Sequence, residues 1–285
     1  MHHMMLFPYL LLFLTPASSP DEDAGLFCVM TYNIRYAGDE QTEGINSWNN
    51  RKSLVASVIR FHRADIVGLQ EALKHQLDDL VELLPGYAWV GVGRDDGKAG
   101  GEFSAIMFKQ ERFEVLEHST FWLSETTEKP SRGWDAAFNR VVTWARMNDR
   151  RTNRTFYFFN THFDHQGNQA RAQSALLLKR KVAQIGGHSP TIITGDFNFR
   201  PESDAYRSLT DDNGFVDAQE ASRHGHYGSM ITFNDFGRSV VEGNKIDYIL
   251  VKNNVEVIQH GIISETFDGR FPSDHMPVLA EVQIP

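Results

Sequence analysis

Eight residues of this chain carry side chains that could do hydrolytic chemistry: Asn33, Glu71, His162, Asp196, Asn198, Asp247, Asp274 and His275. Each follows or ends an apolar run, as in Thr191-Ile-Ile-Thr-Gly195-Asp196-Phe-Asn198. A carboxylate carried inward on such a run is costly to bury unless it pairs or binds a metal. Carboxylates and amides are oxygen donors, which suit Mg²⁺ or Mn²⁺ better than Zn²⁺. Neither an HExxH pattern nor a cysteine pair supports zinc. The two histidines can move protons or stabilise growing charge. The set fits hydrolysis at phosphorus, with a cation on the phosphate oxygens and a carboxylate activating water. No P-loop pattern is present, so nucleotide-driven chemistry is not indicated. Taken alone, Gly195-Asp-Phe-Asn198 is also ordinary turn composition. The recurrence of such groups at other strand ends points to one cleft between two sheets.

The elements that must position these residues alternate. FCVMTYNIR (27–35) reads as a strand, RKSLVASVIRFH (51–62) has helical spacing, and 65–71 is a second strand. A helix over 73–84, a strand at 87–93 and a glycine-rich loop at 94–101, free to move, come next. The middle is strand-rich, at 103–108, 113–123, 140–148 and 155–163, with a hairpin loop at 148–154. A helix over about 168–186 leads into the Thr191 strand, and strands at 245–251, 255–263 and 276–284 complete the chain. Alternate residues of a strand share a face, so Asp196 and Asn198 leave its end on the same side. No repeat or Pro/Ser-rich linker divides residues 26–285, which predicts one domain with two strand-rich halves and helices outside.

Composition narrows the class. The 285 residues carry a net charge of -9, from 37 acidic and 28 basic side chains. That balance disfavours tight nonspecific nucleic-acid binding, although local basic patches stay open. The single cysteine, Cys28, excludes an intrachain disulfide and reads as a small core residue. The apolar run at 6–14 suits a signal-peptide core and is too short to span a bilayer. Residues 1–19 are therefore expected to direct export, to a secreted or periplasmic location, with an acidic linker at 20–25. The leader has no Lys or Arg, which leaves a misassigned start codon or a membrane-tethered leader as alternatives. A monomer is expected.

Six motifs in order carry a resemblance: Thr31-Tyr-Asn33-Ile-Arg35, Leu69-Gln-Glu71, Asn160-Thr-His162, Gly195-Asp196-Phe-Asn198, Ile246-Asp247-Tyr248 and Ser273-Asp274-His275-Met-Pro277. With them the chain resembles the endonuclease/exonuclease/phosphatase superfamily, the group of exonuclease III, deoxyribonuclease I and the inositol-polyphosphate 5-phosphatases. The resemblance implies an α/β (α+β) fold: a four-layer α/β/β/α sandwich of two packed, mostly antiparallel sheets. It implies that Glu71 binds the metal, with Asn33 and Asp274 beside it. It implies that Asp196 orients or deprotonates the attacking water and that Asn198 holds water and phosphate. His275 would contact the scissile phosphate, oriented by Asp247, and His162 would be the second histidine. Glu102 is a candidate partner for His162, or else a solvated loop glutamate.

Other residues are more ambiguous. Arg140 could clamp a phosphate, since guanidinium forks suit its oxygens, or could be a surface strand-end arginine. Trp48, Trp89 and Trp122 read as core, and His224 and His226 as members of a flexible loop at 221–230. The expected function is a divalent-metal-dependent phosphoesterase acting on a mono- or diester, of a sugar, inositol or lipid phosphate. A Mg²⁺-dependent nuclease is the alternative, and a non-catalytic binding module on the same fold is a weaker one.

Overall fold

The computed structural model describes residues 25–211, 214–239 and 241–285. The expected signal peptide, and all of the linker except Gly25, lie outside the described residues. In chain order the strands are β1 (Leu26–Asn33), β2 (Ile66–Ala72), β3 (Tyr87–Val90), β4 (Phe103–Lys109), β5 (Phe113–Trp122), β6 (Val141–Asp149) and β7 (Arg154–His162). They continue with β8 (Thr191–Asp196), β9 (Val216–Asp217), β10 (His226–Gly228), β11 (Asp247–Lys252), β12 (Glu256–Ile262) and β13 (Val278–Gln283). The α-helices are α1 (Glu40–Glu43), α2 (Trp48–Phe61), α3 (Lys74–Leu83), α4 (Asn168–Gly186), α5 (Asp204–Thr210) and α6 (Ala218–Ala221).

Apolar periodicity explains the layers. In α2, Val55, Val58 and Ile59 recur at helical spacing and are buried with Leu77 and Leu80 of α3 against Met30, Val67 and Met107 of one sheet. In α4, Ala175, Leu178 and Val182 pack with Leu209 of α5 on Val142, Phe159 and Ile193 of the other. Between the sheets lie Val29, Ile66, Ile106, Ala145, Phe156, Phe158, Ile192 and Ile249. Three apolar seams thus separate four layers, helix–sheet–sheet–helix.

One sheet has seven strands in the order β10-β12-β13-β1-β2-β4-β3, and the other six, β5-β6-β7-β8-β11-β9. Most pairs are antiparallel, as the sequence leads one to expect. The parallel pairs β1–β2 and β7–β8 sit inside their sheets and are joined through α2 and α4. Open α/β sheets gather chemistry at the carboxyl ends of parallel strands, and these two pairs set such ends side by side.

Toward those ends the inter-sheet seam turns polar. Asn160 of β7 donates through Nδ2 to the carbonyls of Leu69 and Ala105, both at 2.8 Å, across the seam. Its Oδ1 accepts from Gln70 Nε2 at 2.6 Å and Thr194 Oγ1 at 3.0 Å. A Cβ on Gly68 would stand 2.1 Å from Thr194 Oγ1 and 2.6 Å from Asn160 Oδ1, so only glycine lets the sheets approach there.

Three local readings are corrected. The 94–101 loop is bonded rather than loose: Asp95 N–H reaches Gly100 O at 3.0 Å, and Asp96 Oδ1 accepts from the N–H groups of Lys98 and Gly100. Residues 221–230 are not an open loop, since α6 ends there and β10 pairs in parallel with β12. There His226 Nδ1 lies 2.9 Å from His260 Nδ1. Cys28 is only partly buried, against α2 and its sheet, rather than in the core.

Candidate active site

The strand ends deliver the side chains. Asn33 ends β1, His162 ends β7 and Asp196 ends β8, with His162 and Asp196 directly opposite in register. Asp247 opens β11, also opposite Asp196. Glu71 is supplied by an irregularity of β2. There Gln70 and Glu71 together face the single Ser104 between the Leu69–Ala105 and Ala72–Phe103 pairs. Glu71 takes a φ of 61°, so its carboxylate turns into the site while Gln70 stays in the seam. Asn198 and Arg35, at φ 51° and 59°, are also left-handed, a conformation that persists only when the surroundings enforce it.

Buried Arg51 provides part of that enforcement. Its guanidinium donates to the carbonyls of Asn46 (2.6 Å), Ile34 (2.8 Å) and Pro272 (2.9 Å). It thereby ties the chain leaving β1 to the turn that carries Asp274 and His275. Ser273 Oγ adds a bond to Asn33 O at 2.7 Å.

One oxygen is the hub. Asp196 Oδ2 accepts from Asn33 Nδ2 at 2.9 Å and lies 3.5 Å from His162 Nε2 and 3.8 Å from His275 Nε2. The other oxygen of Asp196 accepts from the Asn198 N–H at 3.0 Å, and Asn198 Nδ2 donates to Phe163 O at 3.0 Å. Asn33 Nδ2 also reaches Glu71 Oε1 at 3.1 Å, and Glu71 Oε2 accepts from the Tyr36 N–H at 3.1 Å. Asp247 Oδ2 lies 2.9 Å from His275 Nδ1. Asp274 stands across Arg35, whose guanidinium is 3.8 Å from Asp274 Oδ2 and 3.7 Å from Glu71 Oε2.

Burial and neighbouring charge set the proton affinities. Burial pushes Asp196 up to about 7, Asp247 adds to the rise, and His275 partly offsets it. Burial would lower His275, yet the carboxylates of Asp247, Asp196 and Asp274 outweigh it and push the imidazole up to about 10. His162 falls well below the ordinary range, through burial and then the charges of Arg140 and Arg94. Burial opposes ionisation of Glu71, but His275 and Arg35 prevail and lower it. Burial raises Asp274, against the pull of His275. One histidine is therefore cationic at neutral pH and the other neutral.

Around this floor opens a cleft of about 970 Å³. All the sequence-derived site residues line it except Asn33 and Asp247, which stand behind Asp196 and His275. Two expectations change. Glu102 is no solvated loop residue: Arg94 Nη1 holds its Oε2 at 2.6 Å, and the same oxygen lies 3.8 Å from His162 Nδ1. Arg140 is no surface arginine: it is buried, 3.4 Å from Asp164 Oδ2 and 3.0 Å from His165 Nδ1, with Nη1 unpartnered. Sequence reasoning missed Arg94, Asp164, His165, Phe138 and Arg51. Asp164 and His165 lie two and three residues beyond His162, and Arg94 directly follows an apolar strand, so position alone could have flagged those three.

Two groupings could hold a cation. Ligand atoms of Asp196, Asp247 and His275 lie within 4.8 Å of one another. Within this grouping, Asp247 Oδ2 and His275 Nδ1 already bond each other at 2.9 Å. The second grouping is the carboxylate pair of Glu71 and Asp274, a hard oxygen set that the Arg35 guanidinium, itself a cation, approaches from both sides; Asn33 stands beside it with its Nδ2 toward Glu71 and its Oδ1 taken by the Arg35 N–H. A positive charge already stands between those carboxylates, and the donor set fits a divalent ion.

Fold and cleft define the class: a four-layer sandwich with a carboxylate–histidine floor across the ends of its two sheets. The chain belongs to the Endonuclease/Exonuclease/phosphatase family, whose profile matches residues 30–275. The structure of an endonuclease/exonuclease/phosphatase from Bacteroides vulgatus is 41% identical, with a TM-score of 0.87 over 91% of this chain and 99% of that one. A mannosyl-6-phosphatase of Bacteroides thetaiotaomicron is 37% identical, with a TM-score of 0.86 over 90% of this chain and 100% of that one. An uncharacterized protein of Acanthamoeba polyphaga mimivirus is 27% identical over 177 residues, which cover 60% of this chain and 66% of that protein. Members of the family hydrolyse phosphate esters and depend on a divalent metal.

Proposed function

We propose that this chain is a divalent-metal-dependent phosphoesterase that hydrolyses the phosphate monoester of a sugar. The observation that carries the reading is the hub at Asp196, where one carboxylate oxygen faces Asn33, His162 and His275 on the floor of the cleft. Asp196 takes the proton of a water as the water oxygen attacks phosphorus; the P–O ester bond breaks, the leaving oxygen takes a proton from solvent to become the sugar hydroxyl, and Asp196 returns its proton to solvent. His275, held cationic by Asp247, contacts the phosphate oxygens as their charge grows. Neutral His162 and the Asn198 amide orient water and phosphate, and the positive charge of Arg140, which lines the cleft, favours the bound phosphate. Glu71 and Asp274, with Asn33 beside them, would hold the metal, taken to be Mg²⁺ or Mn²⁺. When bound, that ion neutralises phosphate oxygens in the transition state.

The sugar assignment is supported by the mannosyl-6-phosphatase of 37% identity and by a cleft much larger than a phosphate. The net charge of -9 weighs against a nucleic-acid substrate. We also propose that the chain is exported and acts as a monomer. Phosphate release from mannose 6-phosphate, bis(p-nitrophenyl) phosphate and plasmid DNA, each with Mg²⁺ and with a chelator, tests the reading. Chelator-sensitive turnover of the sugar monoester above the other two is expected, and preferred cleavage of DNA would replace the reading with the nuclease one.

A further inference from the structure

Phe138, on the segment between β5 and β6, lines the cleft and is 46% exposed. A lone exposed phenylalanine is common on protein surfaces. This one is pinned. Asp164 Oδ2 accepts from the N–H groups of Ala137 and Phe138, at 3.1 and 3.3 Å. The ring stacks on His165, with centroids 5.9 Å apart and planes 24° apart. The Arg94 and Arg140 guanidinium carbons lie 5.0 and 5.9 Å from its centroid. Both arginines are more than nine-tenths buried; Arg140 Nη1 has no hydrogen-bond partner, and Arg94 Nε has none either, with Asp95 Oδ1 standing 3.8 Å from it. Buried guanidinium donors are rarely left unmatched, so their presence beside a fixed aromatic face points to a ligand with a flat apolar side and polar edges.

We infer that Phe138, with Arg94 and Arg140, forms the subsite that seats the pyranose ring of the substrate. This rests on the sugar-phosphate reading above and deepens it. A pyranose offers a face of C–H groups to an aromatic ring and a rim of hydroxyls to guanidinium donors. Among the described residues, Phe138 and Tyr36 are the exposed large hydrophobic residues that line the cleft. Phe138 stands at the His162 end of the floor, beside Arg140, and Tyr36 at the Glu71 end. With the phosphate seated at the Asp196 hub, as the reading above has it, a ring attached to it by one methylene would come within reach of Phe138. Asp164 is then a positioning residue, because it holds the Phe138 backbone and Arg140 together.

The test is steady-state kinetics with Mg²⁺ on mannose 6-phosphate, glycerol 1-phosphate and adenosine 5′-monophosphate, for the wild type, Phe138→Ala and Phe138→Trp. Phe138→Ala should raise KM for mannose 6-phosphate about tenfold, the scale of one aromatic contact. Its kcat and its KM for glycerol 1-phosphate, which has no ring, should stay within about twofold. Phe138→Trp should restore the mannose 6-phosphate KM, which also shows that the segment tolerates substitution. An equal change for both substrates, or none, overturns the subsite while leaving the phosphoesterase reading intact. A KM rise confined to adenosine 5′-monophosphate replaces the pyranose with a nucleobase and overturns the assignment. A wild type that hydrolyses none of the three overturns the activity and the subsite together.

Discussion

His275 Nδ1 and Asp247 Oδ2 lie 2.9 Å apart, with both side chains buried, and Asp247 is also the first residue of the strand that pairs with Asp196. One carboxylate therefore acts on both partners across the floor. It holds His275 cationic, up to about 10, and it helps raise Asp196 to about 7. For His275 the folded value lies above the ordinary 6.5. Its contribution to stability is thus fully present below that value and is lost as pH rises through about 10.

Asp247→Asn should accordingly move both limbs of the pH–rate profile to lower pH. Without the negative charge His275 gives up its proton earlier, so the alkaline limb falls. Asp196 ionises more readily, so the acidic limb falls too. A loss of about 10²-fold at the optimum is expected, the typical worth of one acid–base group. Rates measured from pH 5 to 10 check this. An alkaline limb that stays in place would break the link between Asp247 and His275.

Glu71→Gln should retain the fold and lose most of its affinity for Mg²⁺. The amide is nearly isosteric and withdraws one negative charge from an oxygen-donor set. Calorimetric titration with Mg²⁺ or Mn²⁺ reads the effect directly, without turnover. Wild-type affinity in this variant would move the metal to the Asp196–Asp247–His275 group.

Gly68→Ala addresses the sheet packing. A methyl there would meet Thr194 Oγ1 and Asn160 Oδ1 well inside contact distance. Forcing the sheets apart should cost about 1–3 kcal/mol, as overpacking of a close-packed interior does. It should also lower activity, since Asp196 lies two residues beyond Thr194. Chemical denaturation measures the first effect, and unchanged stability would mean that the seam yields easily.

If the apolar run at 6–14 directs export, the mature protein should begin between about 17 and 24. Mass spectrometry of the protein from its native source decides this. An intact Met1 in a cytosolic fraction contradicts it.

The four-layer arrangement was legible because its signals are local. The 168–186 helix and the Thr191 strand appear with the boundaries that their apolar spacing predicts. The eight floor residues were legible as polar groups at the ends of apolar strands. The short elements were not: α6 has four residues and β10 three, too few for any periodicity, and tertiary pairing makes them. Arg94 was missed as a partner of Glu102 because it comes from the far end of a loop and reaches Glu102 by folding back. Arg51 was hidden for a related reason. In sequence it is only the first residue of the 51–62 helix, and its partners Ile34 and Pro272 converge only in the fold.

The most direct measurement is phosphate release from mannose 6-phosphate by the wild type and Asp196→Asn, with Mg²⁺ and after chelation. The Asp196 hub predicts Mg²⁺-dependent release by the wild type. It also predicts a loss of more than about 10²-fold in Asp196→Asn, with the folded structure kept. Release that persists in Asp196→Asn, or that ignores chelation, would contradict it.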